Sequence, residues 1–314
     1  MFGKYRHLSR CSTGQGHFLI LAIDHRANLL SDLNQYAAKP LSDDDFTAFK
    51  RAVMRALVPL CSGVLVDPAH GIGYGIAEGT IQGGLLAPIE VTNYDVHPRE
   101  RDVQLIPNWS VAKIKRVGGD GVKLLLPFHP EADNTPDKLA VVRRLVDECA
   151  QQDIPFFLEP IAYSLDPARH LTNAELRQIA VWMAEEFSRM GVDVLKLQFP
   201  VDAKQSSDRG EWRAACAALN AACDVPWTLL SGGVDYDTFE DQARIACEAG
   251  ASGIIVGRAV WADAVRLQGN ERTTFLQEIA AQRLKALAGI CAEAARSWRE
   301  KRARPQVSLT WYVE

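Results

Sequence analysis

Val192-Asp193-Val194-Leu195-Lys196-Leu197-Gln198 is an apolar run of strand length with one lysine near its centre and a polar residue at its end. A strand covered by helices on one face and filling a core with the other is apolar continuously rather than alternately. Lys196 therefore has few tolerable orientations and is expected to point inward, near the strand end. Runs of the same kind recur at residues 19–24, 63–67, 85–91, 121–126, 155–159, 227–231 and 253–257, making eight in all.

Helix-period segments lie between most of these runs, at residues 43–60, 137–152, 173–190, 209–222 and 236–249. Ser42 precedes an acidic first turn, Thr135-Pro136-Asp137 places proline near a helix start, and Thr172-Asn173-Ala174-Glu175 has the capping-box pattern. Gly191 and Gly250 stand where two helices must stop. Eight strands with intervening helices predict an α/β chain folded as a single (β/α)8 TIM barrel over residues 1–314, with an extra C-terminal helix over about 271–302 and a tail packed on it to residue 314. Residues 68–84 are glycine-rich and poor in helix pattern, and residues 93–108 are long and polar; both read as substrate-side loops. A doubly wound dinucleotide fold is excluded, because no GxGxxG joins the first strand to a helix: Gly71, Gly73 and Gly75 have the wrong spacing, and Gly14 and Gly16 precede that strand.

With 35 Lys plus Arg against 39 Asp plus Glu, the 314 residues carry a formal charge of -4, which implies no nucleic-acid partner. No run nears the roughly 20 apolar residues of a membrane span, and residues 1–10 lack an apolar signal core, so no membrane partner and a cytoplasmic location are expected. Seven cysteines, at positions 11, 61, 149, 216, 223, 247 and 291, form no CxxC pair and read as free buried thiols, the last five in helical stretches. Seven histidines lack ligand spacing, so no metal site is expected.

Charged residues stand in or end the first six runs: Asp24, Asp67, Glu90, Lys123, Glu159 and Lys196. Burying them costs several kcal/mol per ion unless they pair, and any one alone is as readily structural as functional. Six of them on consecutive strands are expected to converge on the C-terminal rim, where barrel enzymes assemble catalytic groups. A desolvated lysine beside a second cation gives up its proton more readily and attacks carbonyls, and carboxylates then move protons during carbon–carbon cleavage. The last two strands end in Ser231-Gly232-Gly233 and Gly257-Arg258, each before a helix start. Small residues let backbone N–H groups approach an anion, and Arg258 adds a charged fork, so a phosphate site is expected there.

The sequence resembles the class I tagatose-1,6-bisphosphate aldolase family, which also contains the sulfofructosephosphate aldolases. The motifs that carry the likeness are Leu21-Ala22-Ile23-Asp24-His25-Arg26, Leu65-Val66-Asp67-Pro68, Val122-Lys123-Leu124-Leu125, Phe157-Leu158-Glu159-Pro160, Val194-Leu195-Lys196-Leu197-Gln198-Phe199-Pro200, Leu230-Ser231-Gly232-Gly233-Val234 and Gly257-Arg258-Ala259-Val260-Trp261. The resemblance implies that Lys196 forms the Schiff base, that Glu159 is the main proton-transfer group, and that Asp24 and Lys123 support them. It implies that Ser231, Gly232, Gly257 and Arg258 bind the phosphate of a dihydroxyacetone-phosphate half, with Arg26 and Gln198 completing the substrate-binding set. His25 and Gln198 depart from the family, which commonly has glutamine and an acidic residue at these positions.

The expected activity is reversible cleavage of a phosphorylated ketohexose, of the tagatose 1,6-bisphosphate or sulfofructose 1-phosphate type, into dihydroxyacetone phosphate and a three-carbon aldehyde. No cofactor is expected; the partner is a small-molecule sugar phosphate, and the protein is expected to be a homo-oligomer. A metal-dependent class II aldolase would need histidine ligands at strand ends. A glycoside hydrolase would leave the lysines unexplained. A non-catalytic sugar-phosphate-binding barrel would use Lys196 only to neutralise Glu159.

Overall fold

Eight parallel strands close into a TIM barrel: β1 Phe18–Ala22, β2 Gly63–Leu65, β3 Gly84–Pro88, β4 Gly121–Phe128, β5 Phe156–Ala162, β6 Val194–Leu197, β7 Trp227–Leu230 and β8 Gly253–Val256. Each strand pairs with the next, and β8 pairs with β1. The computed structural model describes residues 2–93 and 96–313.

Alternation along the strands separates two cores. Leu19, Leu21, Val64, Leu85, Val122, Leu124, Leu158, Leu195, Leu229 and Ile254 face outward into the large core under the helices. Phe18, Ile20, Ala22, Leu65, Leu86, Phe157, Val194 and Ile255 fill the barrel interior. Both faces are apolar, which is why the strand runs read as continuous. Gly121 belongs to this packing: a Cβ there would lie 2.5 Å from Leu86 Cδ2 and 2.8 Å from Phe157 Cε2, so its bare backbone makes room for the Phe157 ring.

The helices are α1 Phe2–Arg10, α2 Ala27–Asn34, α3 Asp43–Leu57, α4 Gly73–Ala77, α5 Val111–Arg116, α6 Thr135–Gln151, α7 Asn173–Arg189, α8 Arg209–Ala222, α9 Tyr236–Ala249, α10 Arg258–Trp261, α11 Gly269–Thr274 and α12 Ala281–Ala294. Ser42 and Thr172 form the expected reciprocal caps, with Asp45 and Glu175. Gly191 and Gly250, at φ 88° and 122°, follow α7 and α9.

Two expectations are corrected, and a third falls partly outside the described residues. The 68–84 connection is not devoid of helix: Pro68–Ile72 forms a π-helical turn, capped by Asp67 accepting from the His70 N–H at 2.9 Å, and α4 continues it. Of the 93–108 loop, residues 94 and 95 lie outside the described residues, and Pro98–Glu100 is a 3-10 turn. The long C-terminal helix is broken, running through α11, a π-helical stretch Phe275–Ala280 and α12, and it stops at Ala294 rather than at 302. Tertiary contact ends it. Trp298 is drawn fully inside, where its backbone N–H donates to the Gly16 carbonyl at 3.0 Å and its indole N–H to Ser12 Oγ at 2.9 Å.

Trp298 and the N-terminal helix α1 together close the floor of the barrel. Leu8 and Cys11 join the interior cluster, and Tyr5 meets the Trp298 ring edge-on at 4.9 Å. Lys4 bonds Asp193 at 2.7 Å and His7 bonds Asp120 at 2.8 Å, fixing α1 to the strand starts. Among the described residues no helix is long and apolar enough to cross a membrane.

Candidate active site

The period-two rule that builds the interior core also lifts charged residues above it. Two positions beyond interior Ala22, Gly121, Phe157, Val194 and Ile255 stand Asp24, Lys123, Glu159, Lys196 and Gly257. Four of the six charges expected to converge thus share one layer at the C-terminal end. They line a cavity of about 580 Å³ with His25, Ser231, Gly232, Gly257 and Arg258.

Lys123 Nζ is the hub of this layer, 2.9 Å from Asp24 Oδ2, 3.1 Å from Glu90 Oε1 and 2.9 Å from Glu159 Oε2. The other oxygen of Glu159 lies 2.9 Å from Lys196 Nζ. Glu159 therefore bridges the two lysines. Glu90 stands behind Lys123, where Arg26 donates to its carbonyl at 2.7 Å and reaches its carboxylate at 3.4 Å. Three cations, Arg26, Lys123 and Lys196, balance three carboxylates, which is what a layer this deeply buried requires.

The couplings set the protonation states. Burial alone would lower the Lys123 ammonium, but Asp24, Glu159 and Glu90 outweigh it and push its pKa well above the ordinary value. Burial likewise favours neutral carboxyls at Asp24 and Glu159, yet Lys123 and then Lys196 hold both below the usual carboxylate range. Lys123 is accordingly a fixed cation, and Glu159 an ionised carboxylate between it and Lys196. Burial drives the His25 imidazole down to about 3, against the opposing pull of Asp24.

Gly232 and Gly233, at φ 58° and 83°, adopt the left-handed conformation that glycine tolerates best. The turn they form after β7 faces Arg258, whose Nη2 would lie 3.2 Å from a Cβ on Gly233. Arg258 opens α10, and Asp263 is bonded to Arg283 at 2.7 Å. The two glycine turns and one guanidinium thus meet on one wall of the lysine-lined cavity.

Three expected residues are placed elsewhere. Asp67 does not converge with the others: it ion-pairs with Lys50 of α3, and both side chains are fully buried outside the cavity lining. Arg26 is tied to Glu90 and does not line the cavity either. Gln198 accepts from the Ala162 N–H at 2.8 Å and lines an adjoining cavity of about 500 Å³, which shares Tyr163, Ser231 and Gly232 with the first. Asn28, Thr92, Arg101 and Tyr163 also line the lysine-lined cavity. They are single polar or aromatic residues in or beside loops, and no period or motif marks them. All seven cysteines are free, with Cys223 one residue past α8 rather than inside it. Among the described residues no group of His, Cys, Asp and Glu could hold a metal ion.

Residues 18–263 match the DeoC/LacD family aldolase pattern. The chain is 32% identical to tagatose 1,6-diphosphate aldolase 2 of Enterococcus faecalis, over 95% of this chain and 96% of the relative. It is 34% identical to tagatose 1,6-diphosphate aldolase of Listeria monocytogenes, over 88% and 86% respectively. Similar folds include an archaeal fructose 1,6-bisphosphate aldolase (TM-score 0.60, 19% identity, 92% of this chain and 99% of that one) and the fructose-bisphosphate aldolase of Plasmodium falciparum (TM-score 0.71, 12% identity, 94% and 95%). A barrel with two lysines bridged by a carboxylate beneath paired glycine turns, matched across nearly its full length by curated aldolases, belongs to the DeoC/LacD aldolase family and is a lyase.

Proposed function

We propose that the protein is a class I aldolase that cleaves a phosphorylated ketohexose through an imine on Lys196. The observation that carries this reading is the Glu159 bridge, with one oxygen 2.9 Å from Lys196 Nζ and the other 2.9 Å from Lys123 Nζ. A proton passed from Lys196 to Glu159 frees the amine to attack the substrate carbonyl at C2, and loss of water from the carbinolamine leaves an iminium. Glu159, again a carboxylate, takes the C4 hydroxyl proton; the C3–C4 bond breaks, and its electron pair moves into the iminium to give an enamine. The three-carbon aldehyde departs. Protonation at C3 and hydrolysis of the imine release the ketone half and restore Lys196. Lys123 stays charged throughout and keeps Glu159 ionised between the steps.

The phosphate on the ketone half is assigned to Ser231, Gly232, Gly257 and Arg258, which supply backbone N–H groups and a guanidinium on the wall beside Lys196. The ketone half is dihydroxyacetone phosphate, and the substrate is of the tagatose 1,6-bisphosphate or sulfofructose 1-phosphate type. The tagatose names of the similar curated enzymes support the first of these.

Incubation with dihydroxyacetone phosphate and borohydride tests the reading. Reduction is expected to fix one ketone per chain on the peptide containing Lys196. An adduct on Lys123 instead, or none, refutes it. Cleavage is expected to survive EDTA, because the iminium is the electron sink; loss on chelation restored by zinc would make the enzyme class II.

A further inference from the structure

His25 carries a feature that the proposed chemistry leaves unused. It lines the catalytic cavity between Asp24 and the Gly257–Arg258 turn, and its ring is held from two sides. Trp261 meets it edge-on at 5.3 Å, and His25 Cε1 is 3.1 Å from the position a Cβ on Gly257 would take. The side chain is 18% exposed, yet Nδ1 is buried and finds no hydrogen-bond partner among the described residues; Asp24 Oδ1 stands 4.0 Å off. Nδ1 is closed off from the cavity, so a ligand there meets the ring at its accessible nitrogen, Nε2.

The charge state narrows what that ligand offers. Burial drives the imidazole down to about 3; Asp24 opposes this, and Arg258 and Lys196 add to it. A neutral imidazole donates at one nitrogen and accepts at the other, so it matches a hydroxyl, which also does both, better than an anion, which only accepts. On the Lys196 imine reading, the carbonyl carbon sits at Lys196 and the phosphate at Gly257–Arg258. The ketone half then has one neutral group left, the hydroxyl on the carbon flanking the carbonyl opposite the phosphate.

We propose that His25 is a substrate-positioning residue that hydrogen-bonds this free hydroxyl of the ketone half and so selects hydroxylated over deoxy ketones. The inference rests on the Lys196 imine reading, and the test separates the two. Borohydride trapping is run with dihydroxyacetone phosphate and with hydroxyacetone phosphate, which lacks only that hydroxyl, on the wild type, His25→Leu and His25→Gln. The wild type is expected to half-saturate with the hydroxylated ketone at a concentration about tenfold lower. His25→Leu removes this preference by weakening the hydroxylated ketone alone, and His25→Gln, whose amide also donates and accepts, restores most of it. Three results overturn the proposal: no preference in the wild type, equal weakening of both ketones in His25→Leu, or a His25→Gln protein indistinguishable from His25→Leu. If the wild type traps neither ketone, the imine reading itself falls.

Discussion

The two ends of the barrel both bury carboxylates against cations, but they do so differently, and β6 runs between them. Just below β6, Asp193 accepts from Lys4 at 2.7 Å and from the Phe156 N–H at 2.9 Å, and it ion-pairs with Arg302 at 3.1 Å. Asp120 at the same end takes His7, Arg10 and the Leu85 N–H. Each floor carboxylate thus has its own set of partners, Asp193 from the N-terminal segment, the C-terminal segment and a strand start, and Asp120 from the N-terminal segment and a strand start. At the rim, three residues above Asp193 on the same strand, Lys196 meets one oxygen of Glu159 and opens onto the cavity. A charge bonded by many fixed groups fastens the chain. A charge that shares one partner, with open space beside it, is available for chemistry.

Removing the rim charges should therefore cost activity and removing the floor charges stability. Lys196→Met is expected to have the largest effect, a loss of roughly 10⁴- to 10⁶-fold in turnover together with borohydride trapping, at a melting temperature near that of the wild type. Trapping retained in this variant would show that the rim lysine is as structural as the floor pairs.

Glu159→Gln keeps the side chain's shape but removes the proton acceptor. Turnover should fall by about 10²- to 10⁴-fold while some adduct still forms on Lys196. Full turnover would demote Glu159 to an ion-pair partner like Asp193.

The floor is probed by Asp193→Ala, which strands Lys4, leaves Arg302 with the Val192 carbonyl and leaves the Phe156 N–H without its acceptor. Unfolding measured in urea should show about 3–5 kcal/mol of lost stability, with turnover per folded molecule unchanged. A turnover defect without a stability loss would erase the distinction between the two ends.

Arg258→Ala should produce the smallest change, weakening dihydroxyacetone phosphate by roughly 10- to 100-fold and unphosphorylated dihydroxyacetone much less. An unchanged ratio between the two ligands, measured by trapping, would remove Arg258 from the phosphate site.

Much of the rim was legible because a barrel strand tolerates charge only near its end. Lys123 and Lys196 interrupt apolar runs, Glu159 ends one, and Asp24 lies two places beyond an inward alanine, so strand period points them to one layer. Asp67 has the same local sequence character but stays out of this layer, since its partner Lys50 comes from a helix and satisfies it outside the cavity. Arg26 and Gln198 belong to the right motifs, yet their hydrogen bonds turn them to Glu90 and Ala162.

By itself the sequence determined the eight strands, the helix caps and the layer of charges, because these follow from local periodicity and the cost of burying an ion. The tertiary structure alone decided how the chain's two ends are used. Residues 2–10 show no helical pattern strong enough to stand alone, but docking on the strand starts gives α1 its partners. The periodic segment after residue 269 could run on past Ala294, and it stops because Trp298 gains a fully buried seat with two hydrogen bonds in the barrel floor. The partner that fixes each of these outcomes is distant in the chain, so its effect is absent from any local window of sequence.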